Sequence, residues 1–283
     1  MKYKRLKLAL YHLVICGFGF VMVYPIIWMV VSSVKDNSEI FTNAASLIPK
    51  AFTMDNYVAG FKGFGNIPFM TFIKNSLVIT VVGTVGCVVA STLVGYGFSR
   101  LEFRGKRFWF SIMMATMMLP MQVTIVPQYI LFDALGMTGT NLPLILPQFG
   151  GRVFFIFLIV QFIDGIPKEL DQAAYIDGCG KYSVFTRIIL PLIVPAIVTS
   201  TVFSFMWIWE DFFTALIYLD QPAKYTVPLA LRMFNDASSA SNWGATLAMS
   251  TVSLVPVFIL FACFQKYLGE EAFEAWMNRV LGL

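Results

Sequence analysis

Residues 166–192 read IPKELDQAAYIDGCGKYSVFTRIILPL and lie between two almost wholly apolar runs, about 142–162 and about 192–219. A plain connector would be shorter and more polar. Pro167 suits the first residue of a helix, where its missing N–H costs nothing. Glu169 and Asp171 then fall in the first turn, where the helix dipole favours acids. Leu170, Ala173 and Ala174 share one face at i, i+3 and i+4. Gly178 is a natural stop, because glycine accepts the left-handed conformation that ends helices. A second amphipathic turn follows, with Phe185, Ile188 and Ile189 on one side, and Pro191 breaks it before the next run. The stretch therefore predicts a helix, a glycine turn and a second helix. The first carries a small, flat alanine face flanked by acids, a shape suited to docking in a groove.

The surroundings of this loop are membrane-like. Hydrophobic residues make up 58% of the 283 and charged residues 13%, against about 45–50% and about 25% in ordinary soluble domains. One globular core could not hide so much apolar surface, so a bilayer must solvate it. A helix crossing the ~30 Å hydrocarbon layer needs about 20 mostly apolar residues. Six stretches qualify: about 8–34, 76–98, 108–132, 142–162, 192–219 and 246–267. The first opens with basic residues, but its apolar run is too long for a signal peptide and lacks a small-residue cleavage site. The expected fold class is therefore an all-α membrane protein of six transmembrane helices, with residues 1–283 forming a single transmembrane domain.

Lysine and arginine set the orientation. Lys2, Lys4, Arg5, Lys7, Arg100, Arg104, Lys106, Arg107, Lys168, Lys181, Arg187, Lys266 and Arg279 fall on one side of such a six-span chain. The opposite side holds the smaller group of Lys35, Lys50, Lys62, Lys74, Lys224 and Arg232. The bias predicts both termini, and the 166–191 loop, in the cytoplasm. Within the second span Gly83, Cys87, Ser91 and Gly95 recur every four residues, a stripe that lets helix backbones approach closely. Pro25, Pro120, Pro127, Pro147, Pro195 and Pro256 lie in or near spans and predict kinks.

Several kinds of chemistry find no footing. Cys16, Cys87, Cys179 and Cys263 show no CxxC pair, and His12 is the sole histidine, so neither a zinc site nor disulfides are expected. A net charge of +4 is too small and dispersed for nucleic acid. GCGKY at 178–182 lacks the frame and preceding strand of a phosphate-binding loop. No catalytic constellation exists. Charges inside spans are functional candidates because burying them is costly. Glu210 and Asp211 follow Trp207 and Trp209 in the fifth span, offering aromatic faces and hydrogen-bonding groups of the kind sugars use. The alternative is that these acids cap a broken helix or pair with a partner chain. Arg152, beside Gly150 and Gly151, could pair with such an acid or attract an anionic saccharide.

The string ELDQAAYIDGCGKYSVFTRIILP resembles the EAA motif of ATP-binding-cassette importer permeases, normally Glu-Ala-Ala, three residues and Gly, followed by Ile-x-Leu-Pro. Glu169, Ala173, Ala174, Asp177, Gly178 and Ile188–Pro191 match the longer form of carbohydrate permeases. SSVKDNSEIF (32–41), NYVAGF (56–61), NSLVITVVGT (75–84), YGFSRLEFRGK (96–106), MMLPMQVTIVP (117–127), FSFMWIWEDFF (203–213) and LVPVFILFACFQKYL (254–268) look like the same family. The chain is most similar to the smaller permease subunit of maltose-type oligosaccharide importers. It departs where it ends GEEAFEAWMNRVLGL, acidic and amphipathic rather than glycine-rich.

The resemblance implies a type I importer bundle with cytoplasmic coupling helices in a bacterial cytoplasmic (inner) membrane. Its partners would be a second permease, two ATPase subunits and an extracytoplasmic solute-binding protein that delivers a carbohydrate. ATP and Mg would sit on the ATPase, with no cofactor on this chain. Glu169, Leu170, Ala173, Ala174, Asp177, Gly178 and Arg187 would couple to that ATPase. Trp207, Trp209, Glu210, Asp211 and Arg152 are candidates for the substrate path. An ion-coupled secondary transporter is the competing class, but it leaves the glycine-hinged loop unexplained and no convincing internal repeat supports it.

Overall fold

The computed structural model describes residues 2–234 and 242–267. Every regular element among them is helical, apart from an isolated bridge between Phe64 and Ile67. Two compact units are resolved, residues 1–71 with 230–255 and residues 72–229 with 256–283.

In the first unit the long helix α1 (Lys2–Ser32) continues through Pro25 without breaking. Its large apolar side chains, Leu10, Leu13, Phe18, Val21 and Met22 among them, are exposed. A helix apolar all round belongs in lipid or against another membrane chain. Short helices α2 (Asn37–Thr42) and α3 (Asp55–Lys62) follow. Asp36 caps α2, its carboxylate accepting from the Ser38 amide at 2.9 Å. Lys35 is completely buried, and its ammonium donates to the carbonyls of Asn43 and Ser46 at 3.2 and 2.6 Å. Asn56 ties the start of α3 to this turn by donating to Ser33 and Lys35 carbonyls.

The second unit is built around α4 (Phe69–Arg100), whose small-residue stripe is a packing surface. Cys87 and Ser91 are fully buried. A Cβ on Gly95 would come within 2.7 Å of Ile159, and one on Gly83 within 3.1 Å of Ile208. Next come α5 (Lys106–Thr116), α6 (Met121–Ala134), α7 (Leu142–Ile145), a 3-10 turn at Leu146–Gly150 and α8 (Val153–Asp164). Then follow α9 (Lys168–Ile176), α10 (Lys181–Val184), a π-helical segment Phe185–Ile189, α11 (Leu190–Leu192), α12 (Val194–Trp209), α13 (Phe213–Tyr218), α14 (Val227–Met233) and α15 (Trp243–Phe264).

Four stretches are long and apolar enough to span: 10–32, 69–100, 142–164, which is broken at Gly151 and Arg152, and 243–267. The remaining two expected spans are not single straight helices. The third is the pair α5–α6, bent by 99° where Pro120 takes an extended conformation between them. The fifth begins at Lys181 and bends by 72° at Ile193, then ends at Trp209 rather than Leu219. Pro191 and Pro195 flank that bend and supply no amide to bridge it. Counting each bent pair once gives six candidate spans among the described residues. Pro127 and Pro256, by contrast, are absorbed within α6 and α15.

Candidate functional site

Two constellations emerge, both in the second unit. The first is the loop. Helix α9 starts directly after Pro167 with Glu169 and Asp171 in its first turn. It ends as expected: Gly178 has φ +82°, its amide donates to the Tyr175 carbonyl at 3.1 Å, and Cys179 N–H donates to Ala174 at 2.9 Å. These paired bonds are the Schellman arrangement, which satisfies the last carbonyls of a helix. Leu170 and Ala174 pack inward against Ile163, Ile166, Val184 and Ile189, joined by Phe185 and Ile188. Ala173 does not share that face. It is exposed, as are Glu169, Asp177, Gly178 and Arg187. The alanine pair is therefore divided: Ala174 seats the helix, while Ala173 lies outward with Gln172 and with Ile176, which is 87% exposed.

A buried ion pair that has no periodic signature in the sequence fixes this helix. Arg100, the last residue of α4, places Nε 2.7 Å from Asp171 Oδ2, with both side chains nearly inaccessible. Its Nη2 also donates to the Ile166 carbonyl at 2.7 Å. The preceding residue, Ser99, donates from Oγ to Asp164 Oδ1, and one turn back Tyr96 donates to the Lys181 carbonyl at 3.3 Å. The Tyr96 ring also packs on Phe185 at 4.7 Å.

The second constellation is a cavity of about 390 Å³ whose lining includes Gln128, Gln148, Arg152, Trp207, Glu210 and Asp211. Irregular backbone builds it. The fourth span is interrupted at Gly151, φ +74°, where a Cβ would strike Ser91 of α4. Ser91 Oγ accepts the Arg152 amide at 3.2 Å. Non-helical backbone at membrane depth is tolerated where it lines a cavity.

Of the five residues expected on a substrate path, four line this cavity. Trp209 does not: it is 5% exposed and stacks on Phe205. Arg152 makes no ion pair with Glu210 or Asp211. Its Nε donates to Gln148 Oε1 at 3.2 Å, and its guanidinium lies 5.3 Å over Trp207, which remains 39% exposed. Asp211 accepts the Thr214 amide at 3.0 Å in the first turn of α13. Gln128 and Gln148 escaped the sequence reading because neutral amides in apolar runs leave no charge signal. Among the described residues no group of three or more His, Cys, Asp or Glu could hold a metal ion.

A bent, cavity-bearing helical bundle with a structured helix–glycine–helix loop defines a membrane permease. Residues 84–271 match the family model described as binding-protein-dependent transport system inner membrane component. The chain belongs to this family and is an inner-membrane transport component. It is 38% identical to the probable ABC transporter permease protein YurM of Bacillus subtilis, covering 86% of this chain and 80% of that one. It is 30% identical to the arabinooligosaccharides transport system permease protein AraQ of Halalkalibacterium halodurans, covering 88% of each. The fold is that of a solved bacterial ABC transporter involved in the import of the acidic polysaccharide alginate, with a TM-score of 0.82, 21% identity and coverage of 95% of this chain and 99% of that one.

Proposed function

We propose that the whole chain acts as one permease domain of an ATP-driven importer that moves an oligosaccharide handed over by an extracytoplasmic binding protein. The loop carries this reading: a short helix seated by Leu170 and Ala174 leaves Glu169, Ala173, Asp177 and Gly178 outward and exposed. An ATPase subunit, holding ATP and Mg, would grip that face. Arg187 would add a cation beside it. A homologous permease completes the pathway, and both termini lie in the cytoplasm with the loop. The family's dependence on binding proteins and the oligosaccharide relative support the cargo class.

The cavity offers what a sugar needs: a half-open indole, two amides, and acids and a guanidinium that hydrogen-bond hydroxyls. A second reading, an acidic saccharide, is favoured by Arg152 having no carboxylate within ion-pair distance among the described residues. The test is ATP-driven uptake of neutral and uronate-bearing oligosaccharides by the reconstituted importer. Neutral cargo predicts that Trp207→Ala lowers uptake about tenfold, as loss of a stacking or packing group of roughly 1–2 kcal/mol would. Acidic cargo predicts that Arg152→Gln selectively removes uronate transport. Uptake without ATP, or of no sugar in the panel, would overturn the proposal.

A further inference from the structure

We propose that Tyr96, Ser99 and Arg100 form a clamp that makes α4 the rod between the loop helix and the cavity, with Arg100 as its decisive positioning residue. This deepens the reading above and rests on it.

The three residues are spaced i, i+3 and i+4, so they occupy one helical face. Each holds a different element. Tyr96 takes the first residue of α10, Ser99 takes the last residue of α8, and Arg100 takes α9 at Asp171 and the turn leading into α9 at the Ile166 carbonyl. A displacement of α9 is thus delivered to the end of α4 through a short, buried, directional link. Nine residues further back, about 13 Å at 1.5 Å per residue, Ser91 of the same helix holds the Arg152 amide at the cavity wall. Gly95 and Gly83, between and beyond, let Ile159 and Ile208 press on the helix without intervening side chains. A continuous α-helix joins the two ends.

Stability alone does not account for the pair. Replacing a buried ion pair with well-packed apolar residues is often neutral or stabilising. Arg100 Nε and Nη1 and Asp171 Oδ1 make no hydrogen bond, Nε meeting Asp171 Oδ2 as an ion pair only, so the pair is not built for maximal satisfaction. What an apolar pair cannot supply is a fixed bearing between two elements. A guanidinium can reach a carboxylate and a carbonyl together from one rigid plane, whereas a lysine ammonium is a point charge on a flexible stem.

The experiment uses the complete importer in proteoliposomes, measuring uptake and ATP hydrolysis together for wild type, Arg100→Lys and the double variant Arg100→Met/Asp171→Leu. Both variants avoid a lone buried charge. The clamp predicts that they assemble with the ATPase and hydrolyse ATP at near the wild-type basal rate, while sugar moved per ATP falls about tenfold, within the range of coupling between distant sites. An unchanged ratio in both variants, a proportionate fall of uptake and hydrolysis, or failure of both to assemble would overturn the clamp. Wild-type importer lacking ATP-driven uptake would overturn the functional reading and the clamp with it.

Discussion

Lys35 and Glu39 illustrate how single residues organise the turn after α1. The buried Lys35 ammonium holds two loop carbonyls, and Glu39 accepts the Lys50 amide at 3.0 Å and the Asn43 side chain at 3.2 Å. The Lys50 amide is the main reason the Glu39 carboxyl lies below its ordinary pKa; desolvation opposes it, and Asn43, Lys35 and Lys50 add to the lowering. A depressed acid stabilises the fold fully above its unfolded pKa and loses that contribution as pH falls through the folded one. Protection of the Lys50 amide against hydrogen exchange should therefore hold at neutral pH and decline below the ordinary glutamate range, and Glu39→Gln should flatten this dependence. Equal acid sensitivity in wild type and Glu39→Gln would contradict the assignment. Gly178 makes a second residue-scale case. Nothing lies within 4 Å of a Cβ there, so substitution acts through its φ of +82° alone. Alanine should cost about 1–2 kcal/mol and asparagine less. Thermal unfolding of the detergent-solubilised variants would check that order.

At the scale of elements, α4 shows which sequence signals carried structural information. The four-residue stripe was legible because close packing demands small residues at helical spacing. Its partners were not, since Ile159 and Ile208 resemble any other apolar residue. Gly95→Val should lower the melting temperature, as overpacking costs typically ~1–3 kcal/mol. Gly97→Ala, with nothing within 4 Å, should not lower it. Equal effects of the two would remove the packing account. The loop helix was legible through Pro167, its acids and Gly178, whereas the facing of Ala173 was not. At i+3 from Leu170 it lies at the edge of the stripe, and tertiary packing decides on which side an edge residue falls. Asp171 read as a dipole acid; that it meets Arg100 depends on how α4 ends beside α9, a long-range fact without local signature. Prolines marked possible breaks but did not rank them: Pro120 divides a span, and Pro256 does not.

On the scale of the whole molecule, composition alone required a bilayer, and the spans were legible from length and apolarity. The bends of 99° and 72° were not, because they depend on where neighbouring helices accept freed carbonyls. The acidic tail at 269–283 lies outside the described residues. Orientation makes a testable prediction. In a variant with its four cysteines replaced, the thiol introduced by Tyr182→Cys, at a position where Tyr182 is 79% exposed within α10, should react with a membrane-impermeant maleimide in inside-out vesicles and not in intact spheroplasts. The reverse pattern would invert the topology. The central claim is that a separate ATPase grips the outward face of α9. The direct measurement is purification of the tagged chain from native membranes in mild detergent, wild type beside Ala173→Arg, with the co-purifying subunits identified by mass spectrometry. The account predicts a second permease and an ATPase with the wild type, and selective loss of the ATPase with the variant, whose altered side chain is exposed and spares the fold. Recovery of the chain alone, or an ATPase held equally by both, would contradict it.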